Sequence, residues 1–105
     1  LFGVNPWGKC MVISLPETGD YPRDPHSAVY DQGKIRIDGG LVDGPVYRGI
    51  YDSLWGIHLR NADVYAPFHG AAVYHDDYCD YSTNEPTMDG TASLTYILGE
   101  LANGE

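Results

Sequence analysis

The stretch Tyr74–Leu101, YHDDYCDYSTNEPTMDGTASLTYILGEL, decides how the rest of the sequence is interpreted. Its first half is rich in aspartate and tyrosine. Its second half repeats apolar side chains at the i, i+3, i+4, i+7 spacing of one helix face: Leu94, Ile97, Leu98 and Leu101. This pattern predicts an amphipathic helix from about Pro86 to Ala102. Because Glu85 lies where the two halves meet, its carboxylate is the first candidate for chemistry.

Glu85 fits two local interpretations. Ser82 and Glu85 have the spacing of a capping box, and Pro86 suits a first helical turn, so Glu85 could simply stabilise the helix start. Its neighbours favour chemistry instead, because like charges and aromatic rings raise a carboxyl pKa and a general acid must hold a proton. Aspartates and tyrosines alternate upstream: Tyr74, Asp76, Asp77, Tyr78, Asp80 and Tyr81.

The chain has 105 residues, which is the size of one small domain, and its formal net charge is −9. Only six residues are Lys or Arg, which argues against nucleic acid and anionic membranes as partners. The nine tyrosines suit a binding groove as well as a core. Cys10 and Cys79 lie far apart in the sequence, so a disulfide and two free thiols both stay open.

The remaining segments predict a mainly α fold with long loops. Leu1–Val4 reads as the end of a helix, which suggests a piece of a larger protein, and Lys9–Leu15 as a strand or extended segment. Pro16–Gly40 reads as a long loop with a brief strand at Lys34–Asp38. Pro45–Ile57 reads as a helix with a wide apolar face.

Several fixed positions give the stretch a recognisable signature. Aromatic Tyr74 and Tyr81, Asp76, Glu85 and Thr87 stand at the spacing of the C-terminal active-site signature that it resembles, that of glycoside hydrolase family 9, the inverting endoglucanases. The resemblance implies that Asp76 and Glu85 are active-site residues and that Glu85 is the general acid. The chain departs from the pattern at positions 91–92, where Thr-Ala replaces Asn and a small residue.

The resemblance extends upstream and covers most of the chain. Phe2–Pro6 is similar to the family's GxNP helix end, and Gly39–Pro45 is similar to its LVGGP segment. Pro25-His26 resembles the start of a Pro-His-x-Arg signature, which implies that His26 contacts sugar, although Ala28 stands in place of the arginine.

The family's fold is an (α/α)6 barrel, so the resemblance implies that residues 1–105 are the C-terminal segment of an incomplete catalytic domain. The implied reaction is inverting hydrolysis of β-1,4-glucosidic bonds in cellulose or related β-glucans. The family's catalytic base comes from a DAGD-like motif, which does not occur in this chain, so the base and the remainder of the catalytic domain are expected outside it. Asp76 is then expected to orient Glu85 or a substrate hydroxyl. The implied location is secreted, periplasmic or cell surface.

Other candidates for the site are less specific. Tyr81 and Trp7 are candidate sugar contacts, whereas Trp55 on the predicted helix is expected in the core. The sequence predicts no cofactor and no metal site, but calcium is left open because oxygen ligands are plentiful: His75, Asp76, Asp77 and Asp80, with His69 nearby. A non-catalytic carbohydrate- or calcium-binding module is the alternative, and a family relative that acts on amino sugars fits the same residues.

Overall fold

In the computed structural model, which describes residues 1–104, the longest buried run is 9–13. Backbone segments bind it on both sides. The N–H of Cys10 donates to the carbonyl of Asp20 at 2.7 Å, and that of Ile13 donates to Gly40 at 2.9 Å. Cys10 also forms an isolated bridge with Phe2. The predicted strand at Lys9–Leu15 therefore pairs through single bridges and not through a continuous ladder.

Alternate side chains of this run face two apolar clusters. On one side, Met11 and Ile13 pack with Val42 and Tyr74. On the other side, Cys10 and Val12 pack with Leu94. The alternation follows from the period of two in an extended chain. The run therefore joins the loop that begins at Tyr74 to the final helix.

The regular elements are short except for the last. They are α1 (Ala28–Asp31), β1 (Val46–Tyr47), α2 (Arg48–Tyr51), a 3-10 turn (Ala66–Phe68), β2 (Ala72–Val73) and α3 (Met88–Asn103). The two strands pair antiparallel, with Val46 opposite Val73 and Tyr47 opposite Ala72.

The predicted fold class, a mainly α fragment of an (α/α)6 barrel, is wrong for this structure, which has three helices and a two-stranded antiparallel sheet. The predicted helix Pro45–Ile57 shows why. Its first residues pair as β1, and α2 ends after four residues at Tyr51. Gly49 and Gly56 each cost a helix about 1 kcal/mol relative to Ala. The supposed apolar face is also covered only in part by the described residues, since Ile50 is 54% and Trp55 is 88% exposed.

Two further local predictions are wrong. Leu1–Val4 is not a helix end, because Phe2 bridges to Cys10. Lys34–Asp38 forms no strand, and Ile35 within it is exposed. Both patterns are too short to specify a structure without a partner segment.

The predicted final helix is confirmed as α3, but only part of its apolar stripe is covered. Leu94 is buried and Leu98 packs partly against the same cluster, whereas Ile97 and Leu101 are exposed. Within the described residues, no helix combines the length and the apolar character needed to cross a bilayer.

Replacing Val12 by Ala should lower the free energy of unfolding by about 1.5 kcal/mol or more, because two methyl groups leave a packed core. Val12 is 1% exposed, whereas Val4 is fully exposed, so Val4→Ala is the matched control and should change stability by less than about 0.5 kcal/mol. Denaturant unfolding of both variants tests this, and equal losses would contradict the central position of Val12.

Candidate active site

The loop 74–84 is closed by hydrogen bonds between its two ends. The hydroxyl of Tyr74 donates to Asn84 Oδ1 at 2.7 Å, and the N–H of His75 donates to Thr83 Oγ1 at 3.1 Å. Tyr74, Thr83 and Asn84 have no exposed surface. Glu85 directly follows Asn84, so the closed loop fixes the position of the Glu85 backbone.

Asp80 holds the interior of the loop. One of its carboxylate oxygens accepts the N–H groups of Ser82 and Thr83, at 2.9 and 3.1 Å. The other lies 2.8 Å from Nδ1 of His75. Burial acts to raise the pKa of Asp80, but the hydrogen bonds from His75, Ser82 and Thr83 outweigh it and lower the pKa. Asp80 is therefore an ionised anchor with no exposed surface.

Asp76 fastens the loop to a distant part of the chain. Its two oxygens accept the N–H groups of Arg23 and Asp24 at 2.8 and 3.0 Å. Asn84 Nδ2 lies at 3.1 Å and Lys9 Nζ at 3.5 Å. The carboxylate thus positions the segment that leads into Pro25 and His26. Its predicted role toward Glu85 or a sugar hydroxyl stays a prediction.

Asp77 makes a third anchor of the same kind. Its carboxylate accepts the N–H groups of Arg60, Asn61 and Cys79, at 3.2, 2.9 and 2.9 Å. The residue is 3% exposed. Asp76, Asp77 and Asp80 therefore bind separate sets of donors and do not form one solvated acidic surface. Calcium binding by this loop stays a prediction.

Glu85 lies beside a second carboxylate, that of Asp43. Val42 bridges to Pro86, and the N–H of Asp43 donates to the carbonyl of Glu85 at 3.1 Å. Burial raises the pKa of Asp43, and the negative charges of Glu85 and Asp89 raise it further. Sequence reasoning missed Asp43, although it lies inside the family-like segment Gly39–Pro45.

The predicted capping box at Glu85 is wrong. The helix α3 begins at Met88 with Thr87 as its N-cap, so Glu85 precedes the helix and does not cap it. The Ser82 hydroxyl instead bonds to Asp80 at 2.6 Å. Glu85 is therefore held by the loop and by the bridge at Pro86.

His26 and Tyr81, both predicted to contact sugar, lie together. The N–H of His26 donates to the carbonyl of Asn84 at 2.9 Å, and its Nδ1 contacts the carbonyl of Tyr78. The ring centroid of His26 lies 6.4 Å from that of Tyr81. The hydroxyl of Tyr81 donates to the carbonyl of Trp55 at 2.8 Å. The Trp55 side chain is exposed, although the sequence predicts it in the core.

Trp7, the third predicted sugar contact, packs elsewhere. Its ring lies 6.2 Å from Tyr74 and 6.4 Å from His69, and it borders the cluster around Met11. Its Nε1 is buried without a hydrogen-bond partner among the described residues. The structure therefore does not bring Trp7 to the rings of His26 and Tyr81, and a sugar-binding role for it stays a prediction.

The two cysteines are free thiols in the described structure. Cys10 is buried and lies 2.6 Å from the carbonyl of Leu15. Burial raises the pKa of Cys79, as does the charge of Asp77. The Cys79 thiol is therefore not activated as a nucleophile, because activation requires a lowered pKa.

A cavity of about 460 Å³ opens beside Pro86, immediately after Glu85. Ser27, Gly40 and Thr91 contribute to its lining. Thr91 stands where the family signature has asparagine, and its hydroxyl accepts the N–H of Leu41 at 3.1 Å. This hydrogen bond links α3 to the segment before Asp43.

Glycoside hydrolases use carboxyl groups as general acids, and Glu85 is a carboxyl group at the end of an anchored loop. The comparison with known families agrees, since the model of glycosyl hydrolase family 9 matches residues 1–98. The chain belongs to this family. No curated protein and no solved structure matched it.

The match confirms the family predicted from the sequence and supports a polysaccharide as substrate class. Enzymes of this family are typically extracellular.

Asp76→Asn should lower the free energy of unfolding by about 3 kcal/mol. The change leaves the buried Lys9 ammonium beside a neutral side chain, and it places an amide NH2 group against the backbone N–H donors that the carboxylate accepts. Asp20→Asn is the matched control, since the Asp20 carboxylate also pairs with Lys9 at 2.8 Å but is 66% exposed. It should cost less than about 1 kcal/mol. Chemical denaturation measures both, and an Asp76→Asn protein as stable as the control would contradict the anchoring role.

Arg60→Gln should weaken the protein above about pH 4 and flatten its acid transition. Burial acts to raise the pKa of Asp24, but the hydrogen bond from Arg60 and those from Tyr78 and Asn61 lower it. A lowered carboxyl pKa contributes stability that is present above the unfolded value and is lost as the pH falls through the folded one. Unfolding midpoints between pH 2 and 7 measure the slope.

The control for this pH series is Arg48→Gln, which removes the same charge from an arginine whose Nε donates to the carbonyl of Gly70. It should leave the acid slope unchanged. An equal flattening in both variants would show that net charge, and not the pair with Asp24, causes the effect.

Proposed function

We propose that this chain supplies the general acid for inverting hydrolysis of β-1,4-glucosidic bonds in cellulose or related β-glucans. Glu85 would donate its proton to the leaving glycosidic oxygen. The observation that carries this proposal is the position of Glu85, which directly follows a hydrogen-bonded loop and lies beside the Asp43 carboxylate. The family match over residues 1–98 supports it.

In this proposal the surrounding residues position and bind, and they do not transfer protons. Asp76 holds the segment that leads to His26, through the N–H groups at Arg23 and Asp24. His26 and Tyr81 contact the sugar, since aromatic and imidazole rings pack on pyranose CH groups and offer a polar edge. Trp55 is a further candidate for sugar contact, because its side chain is exposed and its backbone carbonyl accepts the Tyr81 hydroxyl.

An inverting reaction also needs a base, with the two carboxyl groups roughly 6.5–9.5 Å apart so that a water fits against the anomeric carbon. We place that base outside these residues, in the remainder of the catalytic domain. The exposed apolar residues Ile97 and Leu101 of α3 support such a neighbour, because large uncovered apolar side chains on one helix face favour a partner surface. The chain alone would show no turnover. A polymeric substrate requires a secreted, periplasmic or surface location.

Glu85→Gln in the full-length protein should reduce the release of reducing ends from a soluble β-glucan by about 10²–10⁴-fold, which is the usual contribution of a general acid. The amide keeps the size of the side chain but cannot donate a proton of comparable acidity. Glu100→Gln, an exposed glutamate on α3, is the matched control and should keep parental activity.

Circular dichroism and the unfolding midpoint would show that both variants fold. Undiminished hydrolysis by a folded Glu85→Gln protein would contradict the proposed acid. Glucan binding without hydrolysis by the folded parental protein would instead favour a non-catalytic carbohydrate-binding module.

A further inference from the structure

A cluster outside the proposed active site joins three side chains that metal ions prefer. Asp63, His69 and His75 each turn one ligand atom toward the others, and these atoms all lie within 4.8 Å of one another. Asp63 Oδ2 is 3.2 Å from His75 Nε2 and 4.0 Å from His69 Nδ1. A tetrahedral ion with bonds of about 2.0–2.1 Å keeps its ligands roughly 3.4 Å apart. Small side-chain movements therefore suffice to close the site.

The outer nitrogen of each imidazole is already bound to an acceptor. His69 Nε2 lies 2.9 Å from the carbonyl of Tyr74, which can only accept, so this nitrogen carries the hydrogen. His75 Nδ1 lies 2.8 Å from Asp80, whose other oxygen accepts two backbone N–H groups. In the neutral rings, the lone pairs of His69 Nδ1 and His75 Nε2 therefore face Asp63. Such outer hydrogen bonds are what orients histidine ligands in metal sites.

We propose that Asp63, His69 and His75 bind a divalent transition-metal ion, with zinc as the preferred ion. Two imidazole nitrogens and one carboxylate form a donor set that suits zinc and related ions and is poor for calcium, which takes six to eight oxygens. The imidazole side chains are 6% and 5% exposed, whereas the Asp63 side chain is 30% exposed. The ion therefore sits at the edge of the core, with a path to solvent on the Asp63 side.

The surroundings leave room for a fourth ligand and suggest a structural role. Asp63 and His75 both line a cavity of about 250 Å³, which can hold a water molecule on the ion. His75 directly precedes Asp76, so an ion would tie the segment around Asp63 to the start of the candidate active-site loop. The site neither contacts Glu85 nor depends on the glycosidase proposal.

The test is zinc binding to chelator-treated full-length protein, followed by isothermal titration calorimetry and by metal analysis after dialysis. The parent should bind one zinc equivalent more than Asp63→Asn and than His69→Gln, with at least a tenfold loss of affinity at that site in each variant. Asp63→Asn is the informative change, because an amide oxygen can still accept the N–H of Tyr65, which lies 3.1 Å from Asp63 Oδ1. His58→Gln is the matched control, since His58 is exposed and outside the cluster.

Thermal unfolding gives a second measurement that does not depend on enzyme activity. Zinc should raise the unfolding midpoint of the parent and of His58→Gln by more than that of Asp63→Asn, since a ligand that binds only the folded state stabilises it. Equal zinc stoichiometry and affinity in the parent and in the folded Asp63→Asn and His69→Gln proteins would overturn the proposal. A loss of the same equivalent in His58→Gln would overturn it too.

Discussion

Buried carboxylates need hydrogen-bond donors, and this constraint shapes the region around Glu85. Asp76, Asp77 and Asp80 each lose contact with water, which is costly for a charge unless donors replace the water. The donors come mainly from backbone N–H groups of loops that have few regular hydrogen bonds of their own. Each aspartate thus accepts hydrogen bonds from the backbone N–H groups of a loop. These hydrogen bonds in turn offset the free-energy cost of burying the aspartate's charge.

This arrangement explains how a structure with little regular secondary structure can hold a site. The loop 74–84 is closed on itself, fastened at Asp76 to residues 23–24 and at Asp77 to residues 60–61. A catalytic side chain must be held in place before the reaction, because small displacements cost large factors in rate. Here the order comes from charged hydrogen bonds, which are stronger than neutral ones, and α3 adds apolar packing through Leu94.

The parts predicted correctly are those encoded by local spacing. The positions of Tyr74, Asp76, Tyr81 and Glu85 identified the family, and the apolar period predicted α3. Each of these signals lies within a short stretch of the sequence. The partners of Asp76 lie 53 and 52 positions away, and no local pattern specifies them. The same limit caused the error at Trp55: a helical period predicts a buried face only where another segment covers it, and Trp55 is 88% exposed.

The carboxylates of this region therefore differ in the hydrogen bonds that they accept, and their positions in the sequence do not reveal this difference. Asp76, Asp77 and Asp80 each accept several hydrogen bonds, so these carboxylates serve as anchors that hold the loops together. Glu85 and Asp43 are joined through their backbones instead, since the N–H of Asp43 donates to the carbonyl of Glu85 beside the bridge between Val42 and Pro86. A sequence motif marks Asp76 and Glu85 alike, yet Asp76 holds a distant segment in place, whereas Glu85 directly precedes Pro86, which lines a cavity. This difference in hydrogen bonding supports the proposed division of roles, in which Asp76 positions the loop and Glu85 acts as the acid.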